Sequence, residues 1–179
     1  MRHNSRLTAC LIGTLTFLVG AAGAEPLLTQ GGSLSKSRFC GKYSCQSLGA
    51  VPANAQGTGR AYRLKAEPSV GLISRVKGGD VNAMNFVILN PAKLSDAKLL
   101  RVLGTILPDF QRLSLGSVHK FKVSQACLKS PTTKKVVTVA KHKFAYRCVY
   151  NDASIRPEVR TVYKLPKTAG FINVQYGRP

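Results

Sequence analysis

The order of patterns along the chain predicts an α+β fold, a largely antiparallel sheet with one or two helices packed on one face and the other face left to solvent or a partner. Three observations lead there. The apolar run Ala83 to Leu89 has the length and the branched and aromatic content of a buried strand. Directly after it, Leu99, Leu103, Ile106, Leu107 and Phe110 recur at three- and four-residue steps, which is the stripe of an amphipathic helix. The segments on both sides alternate and are punctuated by Gly, Pro, Asn and Asp, as in short strands joined by turns.

Residues 1–24 have the plan of a secretory signal peptide. Arg2 and Arg6 form a positive start, Leu11 to Val19 an apolar centre, and Ala22-Gly23-Ala24 a small-residue cleavage site. The expectation is a secreted or periplasmic protein with a mature chain from Glu25. Leu7-Thr8-Ala9-Cys10 superficially matches a lipoprotein box, but its apolar run follows the cysteine instead of preceding it. Leu11 to Val19 also falls short of the roughly 20 apolar residues that span a bilayer.

Residues 25–59 are rich in Gly, Ser and Ala and read as a flexible N-terminal segment, with a small ordered knot between Cys40 and Cys45 and a linker over 49–59. A single domain is expected over 60–179. Arg60 to Ala66 alternates as a strand, with Tyr62, Leu64 and Ala66 on one face, and Glu67-Pro68 ends it. Gly71 to Lys77 is a second strand, and Gly78-Gly79-Asp80 folds it back onto the Ala83 run. Asn90-Pro91 stops that run. Ser95 is suited to cap the helix and Asp96 to sit in its first turn, where the helix dipole favours an acid. Burying the helical stripe stabilises the fold by roughly 1.5 to 3 kcal/mol per large apolar side chain before entropy is subtracted. Pro108 marks a break or kink and Leu115-Gly116 a second one. Ser117 to Leu128 fits a short helix or a strand. Val136 to Ala140, Lys143 to Tyr150, Val159 to Leu165 and Phe171 to Tyr176 read as strands.

Cysteine usage suits an oxidising compartment. Cys10 leaves with the signal, and the remaining four allow three pairings. Nearness in sequence favours two disulfides, Cys40–Cys45 and Cys127–Cys148, worth about 2 and 3 kcal/mol in the chain-entropy model. A tie between the Cys40 and Cys127 regions is the alternative. A zinc site is disfavoured, because the close pair at Cys40 and Cys45 has no second close pair to match it.

No motif specific for catalysis is present. There is no nucleotide-binding glycine loop, no metalloprotease helix and no nucleophile elbow, so no cofactor or metal is expected. His119 and His142, both beside lysines, form the alternative: a small secreted nuclease in which one imidazole takes a proton and the other gives one. Inhibition of another exported protein is a further alternative. The strongest functional signal is charge. The chain has 27 Lys and Arg against 7 Asp and Glu, a net +20, or +18 once Arg2 and Arg6 leave with the signal. From residue 120 onward, 13 cations face only Asp152 and Glu158. Such a surface attracts nucleic acid, acidic polysaccharide or lipid headgroups. Lys134, Lys135, Lys141, Lys143, Arg147, Arg160 and Lys164 are the expected contacts. The sequence therefore points to a non-enzymatic binding module for an anionic polymer, acting outside the cytoplasm.

Overall fold

A computed structural model describes residues 26–118, 133–139, 142–150, 157–166 and 169–178. Seven strands, β1 (Cys45–Asn54), β2 (Gly57–Leu64), β3 (Val70–Lys77), β4 (Asp80–Leu89), β5 (Thr133–Val139), β6 (His142–Tyr150) and β7 (Phe171–Gly177), form one sheet in the order β1-β2-β3-β4-β7-β6-β5. Every neighbouring pair is antiparallel. The helices are α1 (Leu27–Gln30), α2 (Arg38–Tyr43), α3 (Asp96–Arg101), α4 (Leu107–Leu115) and α5 (Pro157–Val162). The α+β class and the antiparallel sheet are as the sequence predicts. Among the described residues no helix is long and apolar enough to cross a membrane.

The β3–β4 hairpin turns through Gly78 and Gly79, both with positive φ (63° and 90°), the left-handed pair that matches the twist of the flanking strands. It delivers β4 to the middle of the sheet. Asn90, at φ 50°, then leaves the strand plane and Pro91 opens a short 3-10 turn. Ser95 caps α3 by accepting the Lys98 N–H at 3.3 Å.

The helix does not break at Pro108. A π turn over Val102–Ile106 joins α3 to α4, and Pro108 lies in the first turn of α4. A proline ring clashes with the carbonyl four residues back, and widening the turn upstream relieves that clash without ending the helix. The extra residue in the π turn also rotates the buried stripe. Val102, Ile106 and Phe110 are fully buried, whereas Leu99 and Leu103, expected at the centre of the stripe, are only half-buried. Gly116 ends α4 in the left-handed conformation and its N–H bonds to Arg112 O at 2.8 Å.

Phe110 is the hub of the helix-side core. Its ring lies 5.9 Å from Phe39, 5.3 Å from Phe86 and 6.1 Å from Tyr176, tying α4 to α2, β4 and β7. The buried Tyr176 hydroxyl accepts from Gln111 Nε2 at 2.9 Å, so its polar end is satisfied inside the core.

The helices do not keep to one face. A second apolar cluster of Val51, Ala61, Ile73, Val87, Leu89, Tyr163 and Phe171 fills the opposite face, with Val162 and Leu165 packed against it. The apolar run of β4, interrupted between Ala83 and Leu89 only by Asn85, carries the reason, because a strand covered on both sides has no solvent face to make polar. Residues Val159 to Leu165 are accordingly not a strand. Pro157 begins α5, where its missing N–H costs nothing, and the chain turns so that Tyr163 lies over the sheet. Tyr163 donates to Leu72 O at 2.7 Å and its carbonyl accepts from Arg63 Nη2 at 2.6 Å. A Cβ at Gly71 would collide with the Tyr163 ring, so this glycine makes room for the closure.

Residues 26–59 are not a flexible segment. From Pro26 onward they are built into the fold: Leu28, Leu34, Phe39 and Tyr43 are buried, and Arg178 Nε donates to Leu28 O at 2.9 Å. The stretch 49–59 is the end of β1, a turn in which Asn54 Oδ1 accepts the Gln56 N–H at 2.9 Å, and the start of β2. β1 is an edge strand whose register shifts between Ser47 and Gly49 and between Val51 and Asn54. Bulges and edges are where Gly and Pro are tolerated in a sheet, which is why this strand has the composition of a linker.

The expected Cys40–Cys45 disulfide is formed, with Cα atoms 4.8 Å apart, and it joins α2 to β1. It is the one disulfide among the described residues. Cys148 is on β6, while Cys127, the signal peptide and residues 119–128 of the ambiguous segment lie outside the described residues.

Candidate polyanion-binding end of the sheet

The cations singled out in the sequence are sorted by the β5–β6 hairpin. Its register is unbroken: Lys134 pairs with Arg147, Lys135 with Tyr146, Thr138 with Lys143 and Val139 with His142. Successive strand residues alternate between the two faces, so Lys134, Lys143 and Arg147 belong to one set of positions and Lys135 and His142 to the other. The row through Lys134 and Arg147 continues to Gln175, Asn85 and Ile73. Ile73 belongs to the cluster under α5. Lys134, Lys143 and Arg147 therefore share a side of the sheet with α5 and its following turn, which carry Arg160 and Lys164. The Lys135 row runs through Tyr146 and Tyr176 to Met84, on the helix-covered side. Lys141 and His119 lie outside the described residues.

Between the hairpin and the α5 cluster the sheet carries amides. Asn85 Nδ2 donates to Asn173 Oδ1 at 3.1 Å, and Gln175 Nε2 donates to Gln56 Oε1. Amides bring donors and acceptors without charge, so this part of the floor adds no carboxylate to the side that the hairpin cations share. Residues 133–150 hold five Lys and Arg and no carboxylate.

The helix-covered side is electrostatically different, because Asp109 and Glu67 are already engaged there. Asp109 accepts from Lys42 Nζ, the Tyr43 hydroxyl and Arg112 Nη1, each at 2.7 Å. Burial pushes the Asp109 carboxyl up, but the bonds from Lys42 and Tyr43 and the nearby charges outweigh it and hold the group below the usual carboxylate range. The bond to Asp109 likewise holds the Lys42 ammonium above its ordinary value. Glu67, almost fully buried, accepts from the Ser69 hydroxyl at 2.5 Å and faces Lys98 Nζ at 3.2 Å. There too burial is overcome by the two donors, and the carboxyl is held low. Arg178 reaches Asp80 at 3.4 Å.

The roles of Glu67, Asn85 and Tyr163 escape sequence reasoning. Glu67 and Asn85 carry no local signal, since each acquires its role from register or from a helix remote in sequence. Tyr163 has one, the i, i+3 spacing from Arg160 past Pro157 that marks a short helix and not a strand. Among the described residues no group of three or more His, Cys, Asp or Glu converges as metal ligands do.

The chain matches no family model, no curated protein and no solved structure.

Proposed function

We propose that this is an exported protein, secreted or periplasmic, that binds an anionic polymer without catalysis through the β5–β6 end of its sheet. The observation that carries the reading is the register, which puts Lys134 opposite Arg147 and Lys143 in the same alternating set on a hairpin free of carboxylates. Cations on the helix-covered side support it by contrast, since Lys42, Lys98 and Arg112 are committed to Asp109 and Glu67. Nucleic acid outside the cell, acidic polysaccharide and lipid headgroups share the chemistry such an end selects, a closely spaced row of negative charges.

Neutralising each phosphate of duplex DNA releases condensed counterions and adds about −0.9 to the slope of log affinity against log salt. Binding of duplex DNA should therefore weaken steeply with salt. Replacing Lys134, Lys143 and Arg147 together by Gln should flatten the slope by up to about 2.7 units if all three touch phosphates. A triple variant with the parent's slope, or binding indifferent to salt, overturns the reading.

A further inference from the structure

The two edges of the sheet are built differently, and the difference points to a second mode of recognition. β1 is a poor template for another strand. Its register with β2 shifts twice, it contains Pro52, Gly49 has φ 109°, and α5 lies against it. These are the devices by which edge strands are kept from pairing with other chains. Among the described residues β5 has no register shift, no Pro and no Gly, and its one such guard is the pair Lys134 and Lys135. Its seven residues, Thr133–Val139, pair one to one with β6 and end in Val136-Val137-Thr138-Val139, a β-branched run. Among the described residues no strand pairs with its outer side.

From this we infer that β5 accepts an extended acidic polypeptide as an eighth strand. Main-chain hydrogen bonds to the outer N–H and C=O groups of β5 supply the affinity, and carboxylates on one face of the incoming strand answer Lys134 and, one strand further along the same row, Arg147. Charge selects the occupant. A second copy of the chain would bring a net +20 against the same end of the molecule, and lysine on an edge strand opposes self-pairing. The inference rests on the proposed reading that this end of the sheet attracts anions, and adds that one class of ligand is held by its backbone as well as by its charge.

The test uses the full chain, isotopically labelled, and an end-capped peptide of alternating Glu and Val. A second peptide has the same sequence with every backbone nitrogen methylated, which keeps the charge and removes the donors. The unmodified peptide should bind at least tenfold more tightly, and alternate amides of Thr133–Val139 should gain protection from hydrogen exchange on binding. Equal affinity for the two peptides, or binding without protection in β5, overturns strand addition while the salt-dependent binding of DNA still stands. Loss of DNA binding as well would instead remove the reading on which it rests. Protection of all β5 amides in the free monomer would show the edge to be covered already. Protection that appears with self-association would give the edge to a second copy. Either result overturns the inference.

Discussion

The helix-covered side of the sheet and its β5–β6 end both carry abundant lysine and arginine, yet they use it in opposite ways. Around α2, α3 and α4, Lys42, Lys98 and Arg112 are structural. Lys42 and Arg112 close on Asp109, Lys98 closes on Glu67, and both carboxylates also take a neutral donor. On the hairpin the same residue types stand in a carboxylate-free stretch, Lys134 directly across from Arg147. Net charge alone does not distinguish these cases. What separates a cation that holds a fold from one that can meet a partner is whether the fold has brought an acid to it.

The largest loss of stability should come from the helix side. Val102→Asp should cost on the order of 4 kcal/mol or more and unfold the chain at ordinary temperature, since it strands a charge in the Phe110 core. Leu103→Asp should cost clearly less, because the π turn leaves Leu103 only half-buried, and Arg101→Ala should be nearly silent. Thermal unfolding of the three variants checks the order. Equal losses from Val102 and Leu103 would mean that the π turn does not rotate the stripe.

Next in size is the closure on the other face. Gly71→Ala forces the Tyr163 ring off the sheet and should cost about 1 to 3 kcal/mol by overpacking. Tyr163→Phe removes only the bond to Leu72 O and should cost about 1 to 3 kcal/mol, since a buried carbonyl loses its partner. Urea denaturation reads both. If Gly71→Ala is neutral, α5 is not held where the structure has it.

A smaller effect sharpens the contrast in charge. The carboxyls of Asp109 and Glu67 are held below their ordinary values in the folded chain, so their contribution is present above the normal carboxylate range and is lost as pH falls through the folded-state values. Stability should decline on acidification below about pH 4, and Asp109→Asn with Glu67→Gln should flatten that decline. The hairpin triple variant, with Lys134, Lys143 and Arg147 changed to Gln, should leave the acid profile unaltered. An altered profile in that variant would mean that the hairpin cations take part in the carboxylate network. Smallest of all, Ser95→Ala should cost about 0.5 to 2 kcal/mol through loss of the cap on α3, measurable by the same urea titration.

Much of this architecture was legible in local chemistry. Gly78-Gly79, Asn90 and Gly116 each mark a boundary because the left-handed backbone there suits few other residues, and Ser95 marks one because its side chain accepts a helix N–H; the structure places a turn, a stop, a terminus and a cap at those points. The misread segments are those where tertiary context overrules local pattern. Val159 and Val162 have strand-forming side chains, but Pro157 opens a helix that the sheet face requires. The Gly- and Ala-rich stretch 49–59 lacks strand composition, yet an edge strand with bulges does not need it. The candidate site was legible as a density of cations. Its division into two faces was not, because pairing Lys134 with Arg147 depends on a register that no single strand encodes.

The most direct test of the central claim is a lysine-reactivity footprint, read by mass spectrometry, of the full chain with and without duplex DNA at low salt. Lys134 and Lys143 should lose reactivity when DNA is bound, while Lys42 and Lys98, already committed to Asp109 and Glu67, should react as in the free chain. Uniform protection of all four, or protection at Lys42 and Lys98 alone, would contradict the assignment of binding to the β5–β6 end.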